Sequence, residues 1–298
     1  MKIAVILPAA GLGKRFSATA GSQPSQNADS NNAAGLDASG LGASVAPTTK
    51  IEADLAGQPV FVRAIELFIG RAEVSQIILA VNPDRVDEFT FRHGDKMRFH
   101  GVTIVPGGTK ERWESVSKAL AAVDESCTHV AIHDAARPLT SDATIRRVFE
   151  AAAAYDAVIP GLPVSSTLKR TAVVSQPADP LDDILGQSGK AVVELRKVVE
   201  TVDRCDLVEV QTPQVFEINL LRKAYAKLSE SNSDGKGITD DAGLVESLGQ
   251  TVHVVQGDSG NLKITRPEDL KLAHALWQMA HQQTQASARK KLFGDDDE

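Results

Sequence analysis

The sequence predicts an α/β fold: a mostly parallel sheet with helices on both faces and a protruding β-arm. Three observations carry that prediction. Short β-branched runs alternate with stretches of helical periodicity along most of the 298 residues, the signature of repeated strand–helix–strand units. The glycine-rich and charged segments follow such runs directly, as loops at the carboxyl ends of parallel strands do. The chain is 42% apolar but only 4% aromatic, so Leu, Ile, Val and Ala must fill a substantial core.

Residues 2–7 (KIAVIL), 76–81 (QIILAV), 102–105 (VTIV), 129–132 (HVAI) and 157–160 (AVIP) read as buried strands. Helical patterns fall at 59–70, 83–92, 111–123, 141–153 and 216–228. Together they make a single domain over residues 1–280. Residues 18–47 are rich in Ala, Ser, Gly and Asn and lack any aromatic or basic residue. Such a segment buries too little to offset its chain entropy, so it reads as a flexible insertion, with an ordering lid as the alternative. From Pro163 to about Arg204, two strand-like segments flank a polar loop. This is the arm, either a plain surface excursion or a contact for a partner subunit. Residues 281–298, ending in KKLFGDDDE, read as a disordered tail.

The formal charge of −7 excludes a general nucleic-acid coat, which needs a basic surface. No run of about 18 apolar residues exists, so no membrane span is expected. The initial apolar run is too short for a signal peptide and meets Lys14-Arg15 at once. Cys127 and Cys205 lack metal-site spacing and suit a reducing, cytoplasmic setting.

The loop LPAAGLGKRFS, residues 7–17, fits neither common phosphate fingerprint. A dinucleotide loop needs glycine where Phe16 stands; a Walker A loop needs one at Pro8 and Ser or Thr at Arg15. Yet Ala9, Ala10, Gly11 and Gly13 are small enough to admit a phosphate or base to the backbone, and Lys14 and Arg15 add charge. Lys50 is either a solvated lysine or, if the two ends of the insertion meet, a partner for Arg15 in clamping a triphosphate. In PGGTKERWESV, Gly107 and Gly108 make a close-approach turn that Arg112 and Ser115 can face. In HDAARP, Asp134 ends an apolar strand, where an ionised carboxylate needs a cation. Ala135 and Ala136 leave room for a sugar, Arg137 points into the same crevice, and Asp134 is the candidate Mg²⁺ ligand. His133 reads as a packed strand-end histidine. Thr212-Pro213, Thr239-Asp240-Asp241 and Thr265 carry helix-cap signals. Lys263, in the alternating NLKIT, needs an anion if it faces inward.

In order, PAAGLGKR, Lys50, GGTKERWESV, HDAARP, PVSSTLKR, ETVDR, QTPQVF, TDDAGLVESLG and NLKITRPEDL span residues 3 to about 276. As a series they resemble the 2-C-methyl-D-erythritol 4-phosphate cytidylyltransferases of the non-mevalonate isoprenoid pathway. The resemblance implies a Rossmann-like nucleotidyltransferase sheet and a homodimer formed through the arm at 163–204. It implies CTP and 2-C-methyl-D-erythritol 4-phosphate as substrates and Mg²⁺ as cofactor. By the same resemblance, Arg15 and Lys50 are catalytic. Ala9, Ala10, Gly11, Gly13, Gly108, Ser115, Asp134 and Ala135 hold the nucleotide. Arg137, Thr212 and Lys263 contact the sugar phosphate, and Thr167 and Arg204 reach the partner's site. Asp134 holds the metal; Asp258 is the candidate second ligand, since the residue before Asn261, often Asp in the family, is Gly260. The insertion is longer than the family's loop, and Lys50 sits in Thr-Lys-Ile rather than Pro-Lys-Gln. Two other readings stand beside this one: a ribitol 5-phosphate cytidylyltransferase, and a nucleotide-binding regulator without catalysis.

Overall fold

The computed structural model describes residues 1–11, 49–174, 195–230 and 239–293, without the side chains of 281 and 283–293. The insertion 18–47, together with Gly13 and Arg15, lies outside the described residues. Two compact units are present: Met1–Gly161 with Val210–Glu298, and Leu162–Glu209.

The first unit is organised by β1 (Ile3–Ala9), whose side chains are buried on both faces. It lies parallel to β4 (Val74–Val81) on one side, with Val5 opposite Ile77, and to β6 (His129–Ile132) on the other, with Val5 opposite Ala131. Between them in sequence come a two-residue ribbon, β2 (Asp54–Leu55) with β3 (Gln58–Pro59), and α1 (Val60–Glu66). β4 leads through a 3-10 turn, Pro83–Arg85, into α2 (Val86–Phe99) and then β5 (Val102–Pro106), which pairs parallel with β4. α3 (Arg112–Leu120) follows β5, and α4 (Asp142–Ala152) follows β6, with Ser141 as its N-cap. On the far side lie β7 (Ala157–Pro163) and β12 (His253–Gln256), parallel to one another.

Alternation along β1 sorts the core into two layers, because successive side chains of a strand point to opposite faces. Ile3, Val5 and Leu7 join Phe61, Ile65, Phe68, Phe89 and Phe149. Ala4 and Ile6 join Val116, Leu120, Phe216, Leu221 and Tyr225. Burial on both faces explains why β1 and β4 read as continuous apolar runs.

Four segments differ from the sequence reading. The helix expected at 216–228 is β11 (Gln214–Glu217) followed by α5 (Ile218–Glu230). β11 inserts antiparallel between β6 and β7, with Gln214 opposite Ile132 and Val215 opposite Val158. Thr212-Pro213, read as a helix cap, is a cis peptide leading into that strand. NLKIT is not a strand: side chains and single backbone bonds hold it, with Ile264 N–H donating to Ala136 O at 2.9 Å. At the C-terminus, α7 (Pro267–Phe293) remains helical beyond residue 281, where the sequence suggests a disordered tail. Its start is tied by the Asp269 carboxylate, which accepts from Thr265 N–H and Oγ1, so the expected cap works in reverse. The cap expected at Asp240 is present: it accepts from Gly243 N–H at the start of α6 (Asp241–Glu246).

The second unit is an antiparallel ribbon of β8 (Leu168–Val173) and β9 (Arg196–Val202), in register from Leu168–Val202 to Val173–Arg196. It corresponds to the arm. A short strand, β10 (Val208–Val210), closes the excursion.

Candidate active site

The loops after β1, β5 and β6 line one cavity of about 640 Å³ at the carboxyl ends of the strands. Small residues make its floor. Ala9 and Ala10 are almost wholly buried, and Gly11 is open. The glycine turn is built by the helix it precedes. Gly107 N–H donates to Val81 O at 2.7 Å, and Gly108 N–H donates to the buried Ser115 Oγ at 2.9 Å. The Glu114 carboxylate accepts from Thr109 and Lys110 N–H, while Lys118 Nζ donates to Gly107 O at 2.8 Å. A Cβ on Gly107 would meet Ala10 Cβ and Ser115 Oγ, each at 2.9 Å, so glycine is required for the two loops to approach. Ser115 therefore shapes the turn through Gly108 and also lines the cavity.

Asp134 is the charged centre. Its Oδ1 accepts from Arg112 Nε at 3.1 Å; its Oδ2 lies 2.8 Å from Lys263 Nζ and 3.6 Å from Arg137 Nε. Burial would raise the carboxyl's pKa, but the three cations outweigh it and hold the group far below the usual carboxylate range. Lys263 thus has the anion that its position required. Arg137 also donates to Asn261 O at 2.7 Å, which pins the NLKIT segment against HDAARP. Arg112 reaches a second carboxylate, Asp241 Oδ2, at 2.5 Å. Asp241 in turn accepts from the Tyr225 hydroxyl. Burial disfavours the Arg112 cation, yet Asp241 and Asp134 together raise its pKa above the ordinary arginine value. Gln214 of β11 fixes this side by bonding Asp240 Oδ2 and Ala242 N–H.

His133 and Thr212 lie behind Asp134. His133 Nε2–H donates to Arg137 O at 3.0 Å, leaving Nδ1 to accept from the Thr212 hydroxyl at 3.1 Å. Thr212 Oγ1 accepts from Asp134 N–H at 3.1 Å. Burial pushes the imidazole down to about 4, against the opposing pull of the Arg137 carbonyl bond and the Asp134 charge. The neutral, fully buried ring, edge-on to Phe68, is a packing element, as read from the sequence. Thr212 orients the Asp134 loop from beneath.

Among the residues singled out in the sequence, Ala9, Ala10, Gly11, Lys50, Gly108, Ser115, Asp134, Ala135 and Lys263 all line the cavity. Arg137 and Thr212 stand behind it. Thr167 and Arg204 belong to the second unit, both exposed, with Arg204 Nη1 donating to Ser165 O. Asp258 does not line the cavity; its Oδ1 accepts from Gly260 N–H and its backbone is clasped by Gln211. Sequence reasoning undervalued Arg112 and passed over Asp241 as a cap, although the pair completes the charged centre.

No group of three or more His, Cys, Asp or Glu side chains able to hold a metal occurs among the described residues. Mg²⁺ does not need one, since it is commonly held by one or two carboxylates with substrate phosphates and water. Asp134 fits that use: it is ionised, opens on the cavity and retains lone-pair capacity beyond its three cationic neighbours.

Lys50, Lys110, Arg112 and Lys263 outnumber Glu111 and Asp134 around the cavity. An α/β sheet with a cationic cleft beyond its strand ends defines a nucleotide-binding protein of the nucleotidyltransferase type. Comparison with known proteins narrows the class. Residues 33–279 match the model of the 2-C-methyl-D-erythritol 4-phosphate cytidylyltransferase family, and the chain belongs to that family. It is 34% identical to the enzyme of that name from Acidobacterium capsulatum, over 92% of this chain and 96% of that one. It is 37% identical to the Rhodopirellula baltica enzyme, over 92% and 94%. The crystal structure of the Thermus thermophilus enzyme superposes with a TM-score of 0.62 at 27% identity, covering 93% of this chain and 98% of that one.

Proposed function

We propose that this cavity transfers the cytidylyl group of CTP to 2-C-methyl-D-erythritol 4-phosphate, the reaction of its family. A phosphate oxygen of the sugar attacks the α-phosphorus of CTP. The bond from that phosphorus to the bridging oxygen breaks, and its electron pair leaves with pyrophosphate. No proton has to move, so the protein's task is to align two anions and offset the charge that gathers between them.

One observation carries the reading: Asp134 holds Arg112 and Lys263 at the mouth of a cavity whose rim also bears Lys50. Cations fixed before the ligand arrives need little reorganisation during the reaction. Lys50, with Arg15, serves the phosphates as the five-coordinate arrangement forms. Ala9, Ala10, Gly11 and Gly13 with Gly108 and Ser115 admit the cytidine, Ala135 lies beside the ribose, and Lys263 serves the sugar phosphate, with Arg137 supporting Asp134 from behind the cavity. Asp134 is the residue that would hold Mg²⁺ together with the nucleotide phosphates, and the ion would supply further neutralisation there.

The chain works as a homodimer through its arm, with Thr167 and Arg204 serving the partner's site. Support comes from Val173, Val198 and Val199, exposed on a two-stranded ribbon, and from Leu195 just before its second strand. Such a ribbon has no core of its own and is marginal in water. A cytoplasmic setting accords with the free thiols of Cys127 and Cys205. No described helix is long and apolar enough to cross a membrane.

The ribitol reading has no support in the family match or in the relatives above. The regulator reading sits poorly with Lys50 and Asp134 both lining one cavity. Pyrophosphate release from CTP, Mg²⁺ and each sugar phosphate in turn tests the assignment, with faster turnover of ribitol 5-phosphate counting against it. Lys50→Ala should lower turnover by about 10²–10³-fold, the usual scale for losing one preorganised electrostatic group, while the chain stays folded. Unchanged turnover would remove Lys50 from the mechanism.

A further inference from the structure

Lys50 stands on a tight turn, Thr49 to Glu52, closed by Glu52 N–H donating to Thr49 O at 3.0 Å. Ile51 is buried in the same apolar cluster as Phe61 and Phe89, and its carbonyl accepts from Phe61 N–H. Lys50 lines the main cavity, whereas Glu52 does not.

The Glu52 side chain is only 3% exposed and lies among basic groups from the middle of α2 and the 3-10 turn before that helix. Its Oε2 is 3.2 Å from Arg85 Nη1 and accepts from Thr49 Oγ1 at 2.9 Å. Its Oε1 is 3.1 Å from Arg92 Nη2 and 3.5 Å from His93 Nε2. Glu88 contacts the same two arginines, at 3.1 Å and 2.6 Å. None of these four residues of α2 and its lead-in lines the main cavity. A buried ion pair is a poor source of net stability, but it does select one geometry.

We propose that Glu52 is a positioning residue for the reaction, holding the turn that presents Lys50 to the nucleotide phosphates. The inference rests on the role given to Lys50 above. Ile51 and Glu52 anchor the turn on its inner side, one by packing and one by charge. The side chain between Thr49 and Ile51 is then fixed at its root while its tip stays in the cavity. Small displacements of a catalytic group are costly in rate, so a loosened turn should appear in kcat.

The test is a double-mutant cycle with CTP turnover as readout and thermal melting as the check on folding. Glu52→Gln keeps the shape and removes the charge. It should lower kcat about tenfold, with a smaller change in KM for CTP. Thr49→Ala, a milder release of the same carboxylate, should lower kcat about threefold. In a Lys50→Ala background each change should have less than about a twofold further effect, because the group being positioned is gone. Equal losses in both backgrounds, or no loss in either, would overturn the proposal while leaving Lys50 in place. Full turnover by Lys50→Ala alone would overturn both. If Glu52→Gln does not fold at the assay temperature, the Thr49→Ala cycle decides.

Discussion

Two buried carboxylates, Asp134 and Glu52, share a construction and differ in use. Each gathers three basic groups: Arg112, Lys263 and Arg137 for Asp134, and Arg85, Arg92 and His93 for Glu52. Two of the cations around Asp134 keep one side in the cleft, with Arg112 30% and Lys263 39% exposed. Those around Glu52 are more deeply covered than these two. A cation that a carboxylate holds at an open edge can also serve an arriving phosphate. A cation that does not line the main cavity, as none around Glu52 does, can hold only the turn beside it. The same pairing chemistry therefore builds an exchangeable site in one place and an anchor in the other.

Asp134→Asn should give the larger loss. It removes the carboxylate that Arg112, Arg137 and Lys263 share, leaving Arg112 with Asp241 alone, a cost of about 3–5 kcal/mol for breaking a buried pair. Turnover should fall by about 10²–10³-fold. Glu52→Gln should cost comparable stability but much less turnover. Urea midpoints and pyrophosphate release, measured on both variants, check the contrast. Near-normal turnover by Asp134→Asn would erase the distinction between open centre and closed anchor.

The support behind Asp134 sharpens the comparison through pH. His133 has its pKa depressed by burial to about 4, against an unfolded value of about 6.5. Between those values the unfolded chain binds a proton that the native chain refuses, so stability falls as pH falls from about 6.5 to 4. The full effect is about 3 kcal/mol at the lower end. Asp134, with its pKa depressed, contributes stability that is present above about 4 and lost only at more acid pH. The two windows therefore separate. His129 is also depressed by burial and adds a slope of the same sign, so the test is a difference. Urea midpoints from pH 4.5 to 7 should be flatter for His133→Gln than for the parent chain. Parallel curves would mean that His133 titrates alike in both states.

What the sequence disclosed follows the same division. Asp134 was legible because a carboxylate straight after an apolar strand needs a cation, and HVAI has clear ends at 129 and 132. Lys263 was legible for the converse reason. The closed anchor was not: Glu52, Arg85 and Arg92 look like the solvated charges of any helix and turn until folding joins them. Arg112 and Asp241 are likewise separated by 129 positions. The fold shows a matching limit. Parallel strands with helices between them announce themselves by period, but QVFE runs without a break into α5, so β11 was absorbed into the helix. NLKIT alternates like a strand, yet bonds joining Asn261 to Thr212 O and Thr140 Oγ1 hold it as a strap.

The smallest effect belongs to the second unit and tests the premise of the comparison. Arg170 and Glu200 lie opposite one another on β8 and β9, with Nε and Oε1 2.5 Å apart. That is closer than any contact of Glu52 given above, but the side chains are 66% and 53% exposed. Water screens such a pair, and ordering two long side chains offsets much of the attraction. Arg170→Ala should therefore change unfolding free energy by no more than about 0.5 kcal/mol, and by less at high salt. Denaturant titrations at low and high ionic strength measure it. A loss above about 1 kcal/mol, insensitive to salt, would mean that contact distance outweighs burial in setting what a pair contributes. The contrast between Asp134 and Glu52 would then have to be rebuilt on geometry alone.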